Sequence, residues 1–267
     1  MKRGMEMDTV IRKMKEIQSG HVGVAIYSTK NERIVASYNG ELYIPLASAA
    51  KVVIGFVVAQ MVKGNKCNWN DILHHVKFNP HEDSAQLYPH LQGRSTLTLS
   101  KAVEVMIACH DSYIAKSIVM HCGGWETVRE NLLTYFSKIH IQENPRDEQN
   151  VGELNQVLSL LVHIFQGYKA EPELWEPIIS GMVRQQGDYE GIPYYHLAHM
   201  TGGLSTATIN IGIIGMFHEF PFLYVIGGRD LPNRFDNKEV DETILEALKC
   251  LYKEYKMTSQ PNVVTDN

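Results

Sequence analysis

Side chains that favour β-structure occur in two separate parts of this chain, one near each end. Residues 22–27 and 33–38 are β-rich runs flanking the polar turn STKNE, a hairpin signal. The next such runs come only within 194–228, as YYHLAHMTG, ATINIGIIGMF and FPFLYVIGG, rich in Ile, Val and aromatics and separated by turn residues. Between them, from residue 49 to about 185, the pattern is helical, clearest over 49–63, 99–108, 112–121, 125–137 and 154–165. Two more helices bracket the whole. Val10, Ile11, Met14 and Ile17 share one face behind Asp8 as N-cap, and Val240, Ile244, Leu245, Leu248, Leu251 and Tyr255 recur at i, i+4 and i+7. Distant strands must pair to bury a common face. The fold class that follows is α/β in the α+β sense: an antiparallel sheet built from both chain ends with flanking helices, plus an all-helical inserted lobe. Residues 1–46 and 186–267 are expected to form the α/β lobe and 47–185 the helical lobe, with a pocket at their seam.

Composition narrows the function. The chain is 44% hydrophobic and 21% charged with a formal net charge of −5, which gives no reason to expect nucleic acid or an anionic membrane as partner. The longest apolar run, 52–62, is broken by Gly55 and Gln60 and is too short to span a bilayer. Cys67, Cys109, Cys122 and Cys250 form neither a CxxC pair nor a zinc spacing, so they read as free thiols. The opening MKRGMEMDTVIRKMKEIQ lacks the apolar core of a secretory signal. Together these features imply a cytoplasmic protein, secreted only if a leader precedes it. The tail TSQPNVVTDN is expected to fray.

The chemistry starts in YIPLASAAKVVIGFVVAQMVKG, residues 43–64. Ser48 opens the apolar helix and Lys51 follows on the same helical face, within reach of its hydroxyl. A lysine buried among Val52, Val53 and Ile54 has its charged form disfavoured and can serve as a base near neutral pH. The alternative is an N-cap serine with a snorkelling lysine. Two other stretches bear on the choice. MIACHDSYIAKSIVMHCGG places His110-Asp111-Ser112 between two apolar helical runs, and HLAHMTGGLSTA ends a strand with Thr201-Gly202-Gly203.

Here the chain resembles the class A serine β-lactamases and the related penicillin-binding proteins, whose motifs S-x-x-K, S-D-N and K-T-G occur in this order. SAAK is complete, HDS keeps Asp111, and MTG keeps Thr201 and Gly202. The preceding hairpin, the GG after the 112–121 helix and the Tyr88-Pro89 pair agree, and the resemblance runs from about residue 20 to 255. It implies an acylated Ser48 with Lys51 as its base, and an oxyanion hole from the N–H groups of Ser48 and Gly203, each worth about 3 kcal/mol. It also implies Thr201 and Ser112 on the substrate, with Ser112 shorter in reach than the family's asparagine, and Tyr88 at the substrate wall. Asp111 and Gly202 are expected to be structural.

Three departures matter. The loop that carries the family's deacylating glutamate is short here, SKIHIQENPRDEQNVGELNQ, and no water-activating carboxylate can be assigned in it. Glu153 reads as a first-turn residue of the next helix, and Glu143, Asp147 and Glu148 as solvated loop charges. Met200 replaces the lysine that holds the β-lactam carboxylate, and the following strand offers no arginine. The natural substrate is therefore expected to be neutral where penicillin is anionic. His199 is sent to the opposite face by strand alternation. His110 replaces a proton-carrying serine; with an ordinary pKa near 6.5 it can do that work, or it fills space beside Ser48. The other histidines, including HHVKFNPHED, show no metal spacing.

These features together predict a serine hydrolase or acyltransferase without metal or cofactor. It would act on a small-molecule or peptide-like amide, ester or thioester and be slow on β-lactams. The alternatives are an active β-lactamase with a different deacylation base, and a binding protein that kept the fold but lost the reaction.

Overall fold

The computed structural model describes residues 7–147, 149–185, 187 and 189–259. Glu148, read above as a solvated charge, and residues 260–267, read as frayed, lie outside the described residues. The chain opens with α1 (Met7–Glu16), then β1 (His21–Ser28), β2 (Arg33–Tyr38), β3 (Tyr43–Pro45) and a 3₁₀ turn at Ala47–Ala49. Next come α2 (Ala50–Lys63), β4 (Ile72–His74), α3 (Ser84–Leu87), β5 (Thr96–Thr98), α4 (Leu99–Ala108), α5 (Ser112–His121) and α6 (Gly124–Leu133). The chain continues through β6 (Ile139–His140), β7 (Val151–Glu153), α7 (Leu154–Ala170) and α8 (Pro172–Arg184). It closes with β8 (Leu197–Gly203), β9 (Thr208–Ile214), β10 (Phe222–Arg229) and α9 (Glu239–Ser259).

The main sheet has the order β2-β1-β10-β9-β8, antiparallel throughout, so both halves of the chain meet at the β1–β10 pair and β8 is an edge. The side chains alternate as a two-sided sheet requires. Ala25, Leu223, Val225, Ile209 and Ile211 face the helical segment. Val24, Ile26, Tyr224 and Ile226 face Val10 and Met14 of α1 and Leu248 and Leu251 of α9. Each such aliphatic side chain, fully buried, contributes about 1.5–3 kcal/mol.

Helix α2 is buried on nearly all sides, which is why its sequence is apolar without a clear stripe. It packs closely on α8: a Cβ added at Gly55 would meet Ile178 at 3.1 Å. Gly181 of α8 is pressed against α4 in the same way, a Cβ there meeting Ile107 at 2.7 Å. The inserted segment is not purely helical. It carries the hairpin β4-β5 and the strands β6 and β7, which join β3 in a small sheet; these two- and three-residue strands are too short to leave a periodic signal. Asp8, expected as an N-cap, lies inside the first turn of α1.

Candidate active site

Ser48 sits in the middle of the 3₁₀ turn, on the seam between α2 and the sheet. The approach to it is held tightly. Leu46 N–H donates to Asn150 O at 2.8 Å, and Asn150 Nδ2 donates to Pro145 O at 3.0 Å and Ala47 O at 3.4 Å. Between these anchors Ala47 takes φ +45°, a left-handed conformation that costs a non-glycine residue energy and aims the next side chain. Lys51, one turn on, donates from Nζ to Ser48 Oγ at 3.3 Å. It is only 4% exposed, and burial lowers its pKa to about 8 against the opposing pull of Glu82 and then Asp111.

The edge strand β8 meets this turn. A Cβ on Gly202 would lie 2.0 Å from Leu46 O, so only glycine allows the approach. Gly203 faces the other way, where a Cβ would meet the Arg234 guanidinium at 3.1 Å, and Thr201 shares that face by strand alternation. The backbone runs differently. Thr201 N–H points off the sheet edge to Gln185 Oε1 at 3.0 Å, and the strand period puts the N–H of Gly203 on the same open edge, beside the Ser48 turn.

The HDS triplet lines the opposite wall. Asp111, fully buried, caps α5 through the N–H groups of Tyr113 and Ile114, both at 3.0 Å, and accepts a third from Asn79 N at 3.0 Å. Burial raises its pKa while those bonds oppose the rise. Ser112 Oγ accepts from Asn79 Nδ2 at 2.9 Å. His110 adopts φ +55°, and its Nε2 lies 2.5 Å from Gln185 Nε2. Because Gln185 Oε1 takes the Thr201 N–H, the other end of that amide is the donor. His110 Nε2 therefore accepts, and the imidazole proton sits on Nδ1.

The sequence profile of the β-lactamase enzyme family matches residues 6–255. The chain belongs to this family. Its fold is that of the class A β-lactamases and penicillin-binding proteins. A mutant of PBP-A in acyl-enzyme complex with penicillin G superposes with TM-score 0.76 at 16% identity, over 95% of this chain and 97% of that one. A β-lactamase from Chitinophaga pinensis gives 0.77 at 20% identity over 94% and 99%. An ancestral class A β-lactamase gives 0.75 at 17% identity over 93% and 99%. No curated protein matches the chain by sequence.

Within this β-lactamase-family frame, several expected residues sit elsewhere or differ in state. Tyr88 is a correction: it is 1% exposed in the helical core with its hydroxyl on Glu104 at 2.9 Å, so it does not line the cleft. The ordinary pKa expected for His110 is also corrected, because burial, aided by the Lys51 charge, lowers it to about 4. Met200 is fully buried and its sulfur accepts from Gln185 Nε2 at 3.0 Å. His199, on the other face, is 2% exposed against the Tyr189 ring at 4.7 Å, with neither ring nitrogen bonded. Glu153 precedes α7 and is paired with Lys138, and Glu143 pairs with Lys116 at 3.0 Å. All four cysteines are free thiols.

Four site residues were missed from the sequence: Asn79, Glu82, Asn150 and Gln185. Each lies far along the chain from the motif it supports, and none stands in a recognisable spacing. Glu82 belongs to the turn that Asn79 fixes against Asp111 and Ser112, with Glu82 N–H on Asn79 O at 3.2 Å. Burial raises its pKa and the Lys51 charge opposes the rise. Among the described residues no helix is long and apolar enough to cross a membrane.

Proposed function

We propose that this β-lactamase-family protein is a serine acyl-transfer enzyme in which Ser48 is the nucleophile and Lys51 its base. The observation that carries the reading is the buried Lys51 ammonium, 3.3 Å from Ser48 Oγ and lowered to about pKa 8. At pH 7 about one lysine in ten is then the free base, enough to accept the serine proton. Ser48 Oγ attacks the substrate carbonyl carbon as its proton passes to Lys51 Nζ. The carbonyl oxygen becomes an oxyanion between the N–H groups of Ser48 and Gly203. Collapse breaks the bond to the leaving group, which takes a proton, and an acyl ester remains on Ser48.

In this reading the proton returns to the leaving group from Lys51 Nζ, and His110, whose Nε2 is held by Gln185, contributes a neutral Nδ1–H that hydrogen-bonds the departing atom. Water release of the ester is the weaker half. Glu143 and Glu153 of the short loop are paired with lysines, so the expected kinetics are a burst of one acyl group followed by slow turnover, with an amine or alcohol as a faster acceptor than water. Penicillins acylate slowly, because Met200 offers no cation to their carboxylate, a loss of about 1.5–3 kcal/mol. Rapid-quench and intact-mass measurements with an activated aryl ester and with penicillin G test this. A mass increase of one acyl group on Ser48 supports it. Burst-free, fast turnover of penicillin G would falsify the slow-release reading.

A further inference from the structure

A cleft of about 730 Å³ opens beyond Gly203, under the β8–β9 hairpin. Its walls come from three places that also build the Ser48 site. Tyr43 and Pro45 lie on the strand that leads into the 3₁₀ turn, Arg146 lies in the short loop closed by Asn150, and Ser205 and Thr206 form the hairpin tip. Arg229, at the end of β10, completes it beside the exposed Phe235.

The charges in and around this cleft are unequally occupied. Arg234, behind the hairpin, is fully used: Nη1 donates to Leu204 O and Ala207 O at 2.9 Å each, and Nε and Nη2 hold Asp241 at 2.9 and 2.6 Å. Among the described residues, the carboxylate paired with Arg229 is Asp230, loosely, with Nε–Oδ2 at 3.8 Å. Arg146 is exposed and, among the described residues, no carboxylate bridges it. The wall thus carries two arginines against one aspartate. In the acyl-enzyme reading His110, in place of the family's proton-carrying serine, marks the leaving-group side of Ser48, so the group that extends past Gly203 into this cleft is the acyl half of the substrate.

We infer that this cleft is a recognition site for a carboxylate on the acyl chain of the substrate, with Arg146 and Arg229 as its ligands. The inference rests on the acyl-enzyme reading above and names the substrate class: a monoester, amide or thioester of a dicarboxylic acid, or a peptide-like acyl group with an acidic side chain. Guanidinium groups suit a carboxylate because their planar N–H pairs match its two oxygens. Charge selection then sits on the acyl side, whereas Met200 has removed it from the other.

The test compares two activated esters of equal length, 4-nitrophenyl hexanoate and the mono-4-nitrophenyl ester of hexanedioic acid, by acylation kcat/KM at low salt. The carboxylate ester is expected to react about tenfold faster, the effect of one charge-assisted bond. The double variant Arg146→Gln/Arg229→Gln should bring the ratio to about one, and raising the salt should shrink it in the native protein. A ratio at or below one in the native protein, or one that the double variant leaves intact, overturns the proposal. Failure of both esters to label Ser48 would instead overturn the acyl-enzyme reading beneath it.

Discussion

The two walls of the Ser48 cleft have fared differently. On the turn side, the geometry is what the proposed acylation requires. Ala47 is held in a left-handed conformation, Lys51 reaches Ser48 at 3.3 Å, and Gly202 lets β8 touch Leu46 O. On the helical side the chemistry has been exchanged. His110 is locked to Gln185 and Ser112 answers to Asn79, while Met200, across on β8, lies buried behind the same Gln185 amide. A nucleophile and its oxyanion donors must keep positions to a fraction of an ångström, so that wall tolerates little change. The wall that meets the leaving group and the rest of the substrate sets what is accepted, and it can be rebuilt around a different ligand.

The comparison breaks most simply at Ser48. Ser48→Ala should abolish the acyl adduct in intact-mass spectra and lower esterase activity by at least about 10³-fold, as removal of a nucleophile does elsewhere. Retained turnover would show that the turn-side wall is a relic. Next in size is Gly202→Ala. Its Cβ has no room beside Leu46 O, so β8 must move away from the 3₁₀ turn and carry the Gly203 N–H with it. The expected loss is about 10²–10³-fold in acylation rate, the value of one oxyanion donor, with circular dichroism recording that the fold persists. A variant with native rates would mean that Gly203 is not a donor.

His110→Ala tests the exchanged wall. If the imidazole Nδ1–H assists the departing group, acylation by an amide should slow about 10²-fold and acylation by a 4-nitrophenyl ester hardly at all, since that leaving group departs unprotonated and needs no such help. Equal slowing of both would make His110 a packing residue. The acylation–pH profile should show no histidine inflection near pH 6.5 on top of the Lys51 one, because burial keeps the imidazole neutral down to about pH 4.

The division between walls also explains what could be read from the sequence. Ser48 and Lys51 are three residues apart on one turn, so their meeting is local and legible. The end-to-end sheet was legible because five strands of six to eight residues carry a clear pattern. Gln185, Asn79 and Asn150 were not, because each reaches the site through tertiary contacts far apart in the chain, Asn150 through one 103 residues away at Ala47. The state of His110 was not legible either: a pKa is set by burial and neighbouring charge, which the spacing HDS does not contain. Tyr88 failed for the related reason that a matching dipeptide does not say which face of its turn it presents. Helix α8 was hidden by Pro177 and Gly181, whose packing against α4 only the assembled helices reveal.

The smallest expected effect separates the walls most finely. Lys51 belongs to the retained wall, but the carboxylate that acts on it most strongly, Glu82, hangs from the exchanged one. Burial lowers the Lys51 pKa to about 8, and the Glu82 charge works against that lowering. If Lys51 must be uncharged to accept the serine proton, acylation rises with pH and levels off above about 8. Removing the Glu82 charge withdraws a group that favours the ammonium form, so the Lys51 pKa must fall further. Glu82→Gln should therefore shift the midpoint of the acylation–pH profile to lower pH and raise the rate at pH 7. At most that gain is about tenfold, because only about a tenth of the lysine is free base there to begin with. Asp111 remains to raise the Lys51 pKa, while His81 and Asp83 sit beside Glu82 in its own turn and set its charge. A midpoint that stays put in Glu82→Gln would uncouple the two walls, and a midpoint that rises would mean that Lys51 acts in its charged form.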